Sequence, residues 1–447
     1  MKGVLYMEKS TELIREVWKE IPKKALSVMF TDTTAPADAE VKDLSMEHDG
    51  GVVGWMQGDT FYVSTQRPHV KTVAPEDSTA LFSGLYANKM NVAMLDTSKV
   101  QNMSRMFEFC CALKNIWGMA DWDTSRVTDM SAMFNGCYAM QWADMFSFDT
   151  SKVTNMSEMF QNCHSLKDVV DLANWDVSSL TDTRHMFSDC FGLKDVSALI
   201  DWNTHNITTM GDMFADCKSL ENVEGLSRWD TSSVRDLSWA FDGCKSLKTL
   251  DGLARWDTSS AVEVDAMFQN CESIQNVDGL ASWDTSHVTS ASYMFSGCTS
   301  LENIDGLSRW DTHNVTTMLD MFSRCSFPNV DALAQWDVSS VESMDTMFRR
   351  CPSLQNLNGL ASWDTHNAPT VNWIFEYCPA LTNISGLKNW TLDSAVVLNT
   401  MFFGNTHTLS RDAVEELAHS QQKPRTAQPY IPKTQSPGKD QAVDLDP

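Results

Sequence analysis

The sequence has no stretch of about 18 apolar residues, so nothing in it is long enough to span a bilayer as a helix. Basic residues are scarce: 34 Lys and Arg stand against 59 Asp and Glu, for a formal charge of -25. A polyanionic partner needs clustered Lys and Arg, so nucleic acid is excluded, while cationic partners and divalent ions stay open. No Cys-x-x-Cys pair offers zinc ligation, and there is no Gly-rich phosphate loop, nucleophile elbow or His-Glu metal motif. The opening MKGVLYMEKS breaks its apolar run at Glu8 and Lys9, too early for a secretory signal. Two expectations follow: an intracellular protein, or a chain that begins downstream of its export signal.

What the sequence does have is a period. Aromatic anchors fall at Trp122, Phe148, Trp175, Trp202, Trp229, Trp256, Trp283, Trp310, Trp336, Trp363 and Trp390, with Leu95 in the equivalent place before them. The steps are 27 residues, or 26 at two of them, which makes twelve units. Counting from the anchor, most units place Asp at +1, Val at +5, Met at +8 and +11, Cys at +15, Leu at +18, Val at +21 and Leu at +24. Phe at +12 occurs in all twelve units, from Phe107 to Phe402.

The apolar places at +8, +11, +12 and +15 have the i, i+3, i+4, i+7 spacing of one face of a short helix. Segments such as SLENV then read as a short strand that turns at Asp-Gly, as in Asp278-Gly279. One such coil buries too little apolar surface to offset the entropy of ordering it, so neighbouring coils must share their faces. The pattern predicts an α/β repeat solenoid of about twelve strand-plus-helical-turn coils over residues 86–409. Residues 1–85 lack the period and read as a small β-rich N-terminal cap. In it, TELIREVWKEI is expected to be a short helix, KALSVMF a strand, and VVGWMQGDTFYVSTQ a hairpin turning at Gly58-Asp59. STALFSGL, from Ser78 to Leu85, imitates a degenerate coil. A capping helix is expected at 410–421 and a disordered tail at 422–447.

The pattern WDTSxVxxMxxMFxxCxSLxxV resembles the bacterial surface-protein repeat of about 26 residues found in BspA-like leucine-rich-repeat proteins. The likeness runs from about Leu95 to Asn405, and Met-Phe-x-x-Cys-x-Ser-Leu recurs in register, most closely at Met213 to Leu220 and Met294 to Leu301. It implies a leucine-rich-repeat-like solenoid, displayed at the cell surface or secreted, and engaged in adhesion or host contact. The Gly before the last Leu, as at Gly225 and Gly252, lengthens most units to 27 residues and is expected only to widen a turn.

Several ladders use residues that also serve catalysis or metals. Cysteines at +15, from Cys110 to Cys378, form one of them, with Cys111 as the one extra. Parallel stacking holds neighbouring Cβ atoms near ~4.8 Å, beyond the ~3.8 Å mean of a disulfide, so these read as buried free thiols. Asp at +1 invites a calcium ladder, but Asn203 takes the same place and Asp-Thr-Ser is good turn chemistry, so an Asx turn is the favoured reading. His205, His313 and His366 share +3 yet lie too many coils apart to hold one ion. No catalytic residue, metal or cofactor is therefore assigned, and the chain reads as non-enzymatic.

Position +10 lies opposite +8 on a helix and should face outward. Most coils put small or polar groups there, such as Ala132, Glu158 and Asp212, whereas Trp239, Tyr293 and Trp373 put aromatic rings there. These three are the candidate ligand-binding residues. For Trp239 a space-filling reading is favoured, because Ala240 replaces the usual Met beside it; for Tyr293 and Trp373 both readings stand. The expected function is a monomeric scaffold for a protein or glycan ligand, at the cell surface by the resemblance. An intracellular interaction scaffold is the alternative, since stacked thiols suit a reducing compartment.

Overall fold

The structure, a computed structural model, describes residues 9–366, 370–391, 398, 400–405, 409 and 413–417. The tail expected at 422–447 lies outside the described residues, and of the expected capping helix only 413–417 is described, as helix. The strands among the described residues are β1 (Ser27–Thr31), β2 (Val41–Asp43), β3 (Val53–Gln57), β4 (Thr60–Ser64), β5 (Thr72–Val73), β6 (Lys89–Asn91), β7 (Leu95–Asp96), β8 (Asn115–Trp117) and β9 (Trp142–Ala143). β3 and β4 pair antiparallel with Gln57 opposite Thr60, which places the hairpin loop at Gly58-Asp59. β1 lies parallel to both β4 and β6, giving a seven-stranded sheet in the order β2-β3-β4-β1-β6-β8-β9. Because β6, β8 and β9 come from successive coils, the N-terminal hairpin extends the solenoid's own strand column and covers its end. The helix expected at TELIREVWKEI is reduced to one 3-10 turn, Val17–Lys19. The backbone N–H groups of Leu13 and Ile14 donate instead to the carbonyls of Val73 and Leu44, and a helix would have to break those bonds.

Beyond β9 the coils form a leucine-rich-repeat-like solenoid held by single parallel bridges. One column of bridges runs at +7 from Asn102 to Thr370; a second appears at +20, as between Asn276 and Asn303. Most coils carry a short 3-10 turn near +22 to +24, which is Asp-Gly-Leu in three of them, such as Asp278–Leu280. The glycine there does more than widen a turn. A Cβ on Gly279 would sit 2.3 Å from the backbone carbonyl oxygen of Leu250 one coil back, so its absence lets two backbones touch.

The segment from +8 to +15 is a run of tight turns where the spacing predicts a helix. In the coil anchored by Trp229, the N–H groups of Ala240, Asp242 and Cys244 donate back three residues, to Leu237, Trp239 and Phe241. The alternate N–H groups of Leu237, Trp239, Phe241 and Gly243 donate to Glu263, Asp265, Met267 and Gln269 of the next coil at 2.8–3.0 Å. An α-helix would turn all its N–H groups inward and leave neighbouring coils with side-chain contact alone. Turns free every second N–H for the neighbour. Repeating three-residue turns also reproduce the i, i+3, i+4, i+7 apolar spacing, which is why the two were confusable. The geometry requires left-handed backbone at +10 in all eleven coils from Arg105 to Trp373, and again at +14.

Like side chains then lie on their own copies. Trp229, Trp256 and Trp283 stand in file with ring centroids 6.5 and 6.4 Å apart and planes within 4°. The phenylalanine file starts at Phe82, inside the segment that imitates a coil, and Phe82–Phe107 is 5.3 Å. Threonine at +2, which turn chemistry alone did not single out, is buried; Thr258 Oγ1 donates to the Asp284 carbonyl of the next coil at 2.9 Å. Indole N–H groups do the same backwards, Trp256 Nε1 to the Leu226 carbonyl at 3.0 Å. Every coil thus adds stacked rings, worth roughly 0.5–1.5 kcal/mol per pair beyond area burial, and satisfied buried polar groups.

Phe268→Ala empties a fully buried site between Phe241 and Phe295 and is expected to cost about 3–5 kcal/mol. Thr258→Val keeps the shape, loses one hydrogen bond and leaves a carbonyl unpaired, and should cost about 1–3 kcal/mol. Chemical denaturation of the two variants beside the native chain measures both.

Candidate functional site

Each conspicuous residue type of the repeat is engaged in holding the coil. Asp257 Oδ1 accepts from the backbone N–H of Ser259 at 3.0 Å and from its hydroxyl at 2.6 Å, an Asx turn of the kind read from Asp-Thr-Ser. The same pair recurs at Asp123, Asp149 and Asp230. The Ser125 hydroxyl, donating to its carboxylate, leads in holding Asp123 below the usual carboxylate range; Ser232 does so for Asp230 and Ser286 for Asp284. His313 and His366 each turn Nδ1 to the Asp two residues before, at 2.7 Å. Among the described residues, no group of three or more His, Cys, Asp or Glu side chains is placed to hold a metal ion, and no helix is long and apolar enough to cross a membrane.

The twelve cysteines are free thiols, eleven buried and Cys111 exposed. Each buried sulfur points at the backbone of the coil before it, as Cys271 Sγ donates to the Phe241 carbonyl at 3.1 Å. Burial pushes the Cys217, Cys271 and Cys325 thiols well up and Cys298 up to about 12. A protonated, enclosed thiol is a poor nucleophile.

What the turns present outward is the +10 file. Trp239, Tyr293 and Trp373 all sit on left-handed backbone, with φ of 60°, 60° and 55°. Bulky side chains are uncommon there, and glycine would be the unstrained choice. Glycine does occupy the other left-handed position, at Gly136, Gly243, Gly297 and Gly404, yet never appears at +10. Trp239 keeps 39 % of its surface in water and Trp373 46 %, while Tyr293 is half-buried. The structure brings Trp239 and Tyr293 within two coils of each other, with the fully buried Ala266 between them. Trp373 stands three coils further on, past Asp320 and Thr346.

Two features escaped sequence reasoning. Tyr138, His164 and Phe191 stack on the surface at centroid distances of 4.8 and 4.3 Å, and Lys218 Nζ lies 3.8 Å over the Phe191 ring. All four follow the ladder cysteine directly, so reading +16 down the register would have found them. The other is an acidic neighbourhood beside Trp239. Burial of its carboxyl, opposed by a hydrogen bond from Asn270 and reinforced by the charges of Asp216 and Asp212, moves Asp242 up to about 6. Asp212 is likewise raised by burial, against the pull of His185.

Two outcomes are expected from these environments. In the native chain a thiol reagent should modify Cys111 quickly and leave the other eleven cysteines intact until denaturant is added, when all twelve react; mass spectrometry of labelled peptides counts them. For Asp242, the folded value lies above the ordinary 3.8, so protonation favours the folded state and that favour is lost as pH rises from about 4 through about 6. Asp242→Asn should gain stability over the native chain across that window and keep the gain at pH ~7, the two chains converging below pH ~4. Urea midpoints taken across the window read this directly.

A family model described as "Mycoplasma protein of unknown function, DUF285" matches the chain three times, over residues 76–198, 191–305 and 302–414. No curated protein matches it. Among solved structures, the chain is similar to a leucine-rich repeat protein from Bacteroides ovatus, at 14% identity over 78% of this chain and 88% of that one, with a TM-score of 0.32. It is also similar to a leucine-rich repeat protein from Eubacterium ventriosum, at 11% identity over 69% of this chain and 91% of that one, with a TM-score of 0.31.

Proposed function

The chain belongs to the DUF285 family, and we propose that it works as a non-enzymatic scaffold that binds a protein or glycan ligand, as BspA-like surface proteins do, at the bacterial cell surface in adhesion or host contact. The observation that carries this reading is the aromatic set at +10. Trp239 and Trp373 leave 39 % and 46 % of their surface in water, and the left-handed backbone adopted at +10 from Arg105 to Trp373 accepts small or polar residues elsewhere, so the turn itself does not call for an aromatic ring there. A rigid stack of coils suits binding, because it presents outward groups at fixed spacing and loses little entropy when a ligand seats. The absence of a metal motif or nucleophile elbow from the sequence supports a role in recognition over one in chemistry.

A second reading, an intracellular interaction scaffold, is favoured by the free-thiol ladder, which a reducing compartment would keep unmodified. Fractionation of the producing cells separates the two: chain at the surface or in the medium supports the first, chain confined to cytosol the second.

A protein and glycan array probed with the full chain tests binding itself. Trp239→Ala, Tyr293→Ala and Trp373→Ala are each expected to cost about 1–2 kcal/mol, less than a core ring, since the rings are partly in water. At least one of them should weaken capture of whatever ligand the array finds by about tenfold. Full capture by all three variants would remove the +10 file from the binding surface.

A further inference from the structure

Asp212, Trp239, Ala266, Tyr293 and Asp320 are five consecutive steps of one hydrogen-bonded file. Their N–H groups, in the first four, donate to Ser238, Asp265, Ser292 and Leu319 at 2.8–2.9 Å. Two rings flank one alanine, and a carboxylate closes the file at each end. Between +6 and +14 of these five coils stand seven carboxylates, those of Asp212, Asp216, Asp236, Asp242, Glu263, Asp265 and Asp320. Within that stretch the only basic residues are Arg235 and Arg324, while at its edge Lys218 pairs with Asp216 at 3.4 Å and His185 lies 3.8 Å from Asp212, so carboxylates still outnumber the cations facing them. Asp212 and Asp242 are both raised, chiefly by burial, with the neighbouring carboxylates Asp236, Asp216 and Asp212 adding to it.

Such a surface selects its occupant by charge. Trp and Tyr rings attract Lys and Arg through their faces, and a carboxylate rim strengthens that attraction while repelling acidic partners. Spacing narrows the choice further. Trp239 and Tyr293 are two coils apart, roughly 10–11 Å between the usual strand spacing and the 5.7 Å steps of the phenylalanine file beside them, close to the ~9.3 Å at which a polyproline II segment repeats each face. We propose that the file from Asp212 to Asp320 docks an extended basic segment of a partner protein, with cationic side chains three residues apart laid over Trp239 and Tyr293. The proposal rests on the scaffold reading above and specifies its partner.

The test uses the full chain and three fluorescent nonapeptides: Arg-Pro-Pro repeated three times, Glu-Pro-Pro repeated three times, and six Pro followed by three Arg, read by anisotropy at fixed salt. The spaced Arg peptide should bind, the Glu peptide should not, and the clustered Arg peptide should bind about tenfold more weakly. Trp239→Ala with Tyr293→Ala, and separately Asp212→Asn with Asp320→Asn, should each weaken the spaced Arg peptide about tenfold. Asp251→Asn with Asp278→Asn removes equal charge from exposed positions on the 3-10 turns and should leave affinity within about twofold. Equal weakening by both acid pairs, indifference to loss of the rings, or no binding of the Arg peptides overturns the proposal. Thermal melts of the variants show that they are folded. Should the array find a neutral glycan or acidic protein whose capture falls with Trp239→Ala while the Arg peptides fail, the inference falls and the scaffold reading stands; loss of both removes both.

Discussion

The structure depends on how each coil spends its backbone N–H groups. In the turn segment, one N–H closes a three-residue turn and the next reaches the following coil, in strict alternation. That division lets a segment with almost no regular strand or helix be hydrogen-bonded throughout. It also sets the price: left-handed backbone at +10 and +14 in coil after coil. Single left-handed residues of this kind cost on the order of 1–2 kcal/mol, and the neighbouring coil's bonds and stacked rings offset them. A coil removed from its neighbours would keep the strain and lose the compensation.

From this constraint the interior follows with little freedom. Backbones that meet at every second residue bring identical side chains into register, so Trp lies on Trp and Phe on Phe. Polar groups carried inward must find partners in the adjacent coil, and the threonine hydroxyls, indole N–H groups and thiols do so against backbone carbonyls. Glycine before the last leucine belongs to the same logic, since it lets the 3-10 turn of one coil touch the chain below. The N-terminal strands solve the remaining problem, an open end of the strand column, since β1 pairs with β6 on one side and with the hairpin strand β4 on the other.

Function is left to positions that the stacking rule does not fill. At +10 the turn dictates a backbone conformation and leaves the side chain free, which is why Arg105, Glu158, Asp212 and Trp239 can share one place. Where the +10 side chain reaches water, variation there changes the presented surface and leaves the stacked Trp and Phe files as they are. The same holds at +16, where Tyr138, His164, Phe191 and Lys218 make a surface stack of their own. A repeat scaffold separates stability from recognition in this way, and the aromatic pair at Trp239 and Tyr293 falls on the recognition side.

The sequence by itself determined the period, the number of coils and the residues of the core, because a spacing of 27 is visible without coordinates and apolar registers announce burial. It also yielded the Asx turns and the buried thiols, whose chemistry is local. The helix read from +8 to +15 failed for a physical reason: apolar spacing reports which residues share a face and is blind to where N–H groups go. Only the tertiary structure decided that these groups reach the next coil, that Gly279 is a point of backbone contact, and that Tyr138, His164 and Phe191 meet. Each of those depends on what lies one coil away, and distance across a stack is a property that no single turn of the chain contains.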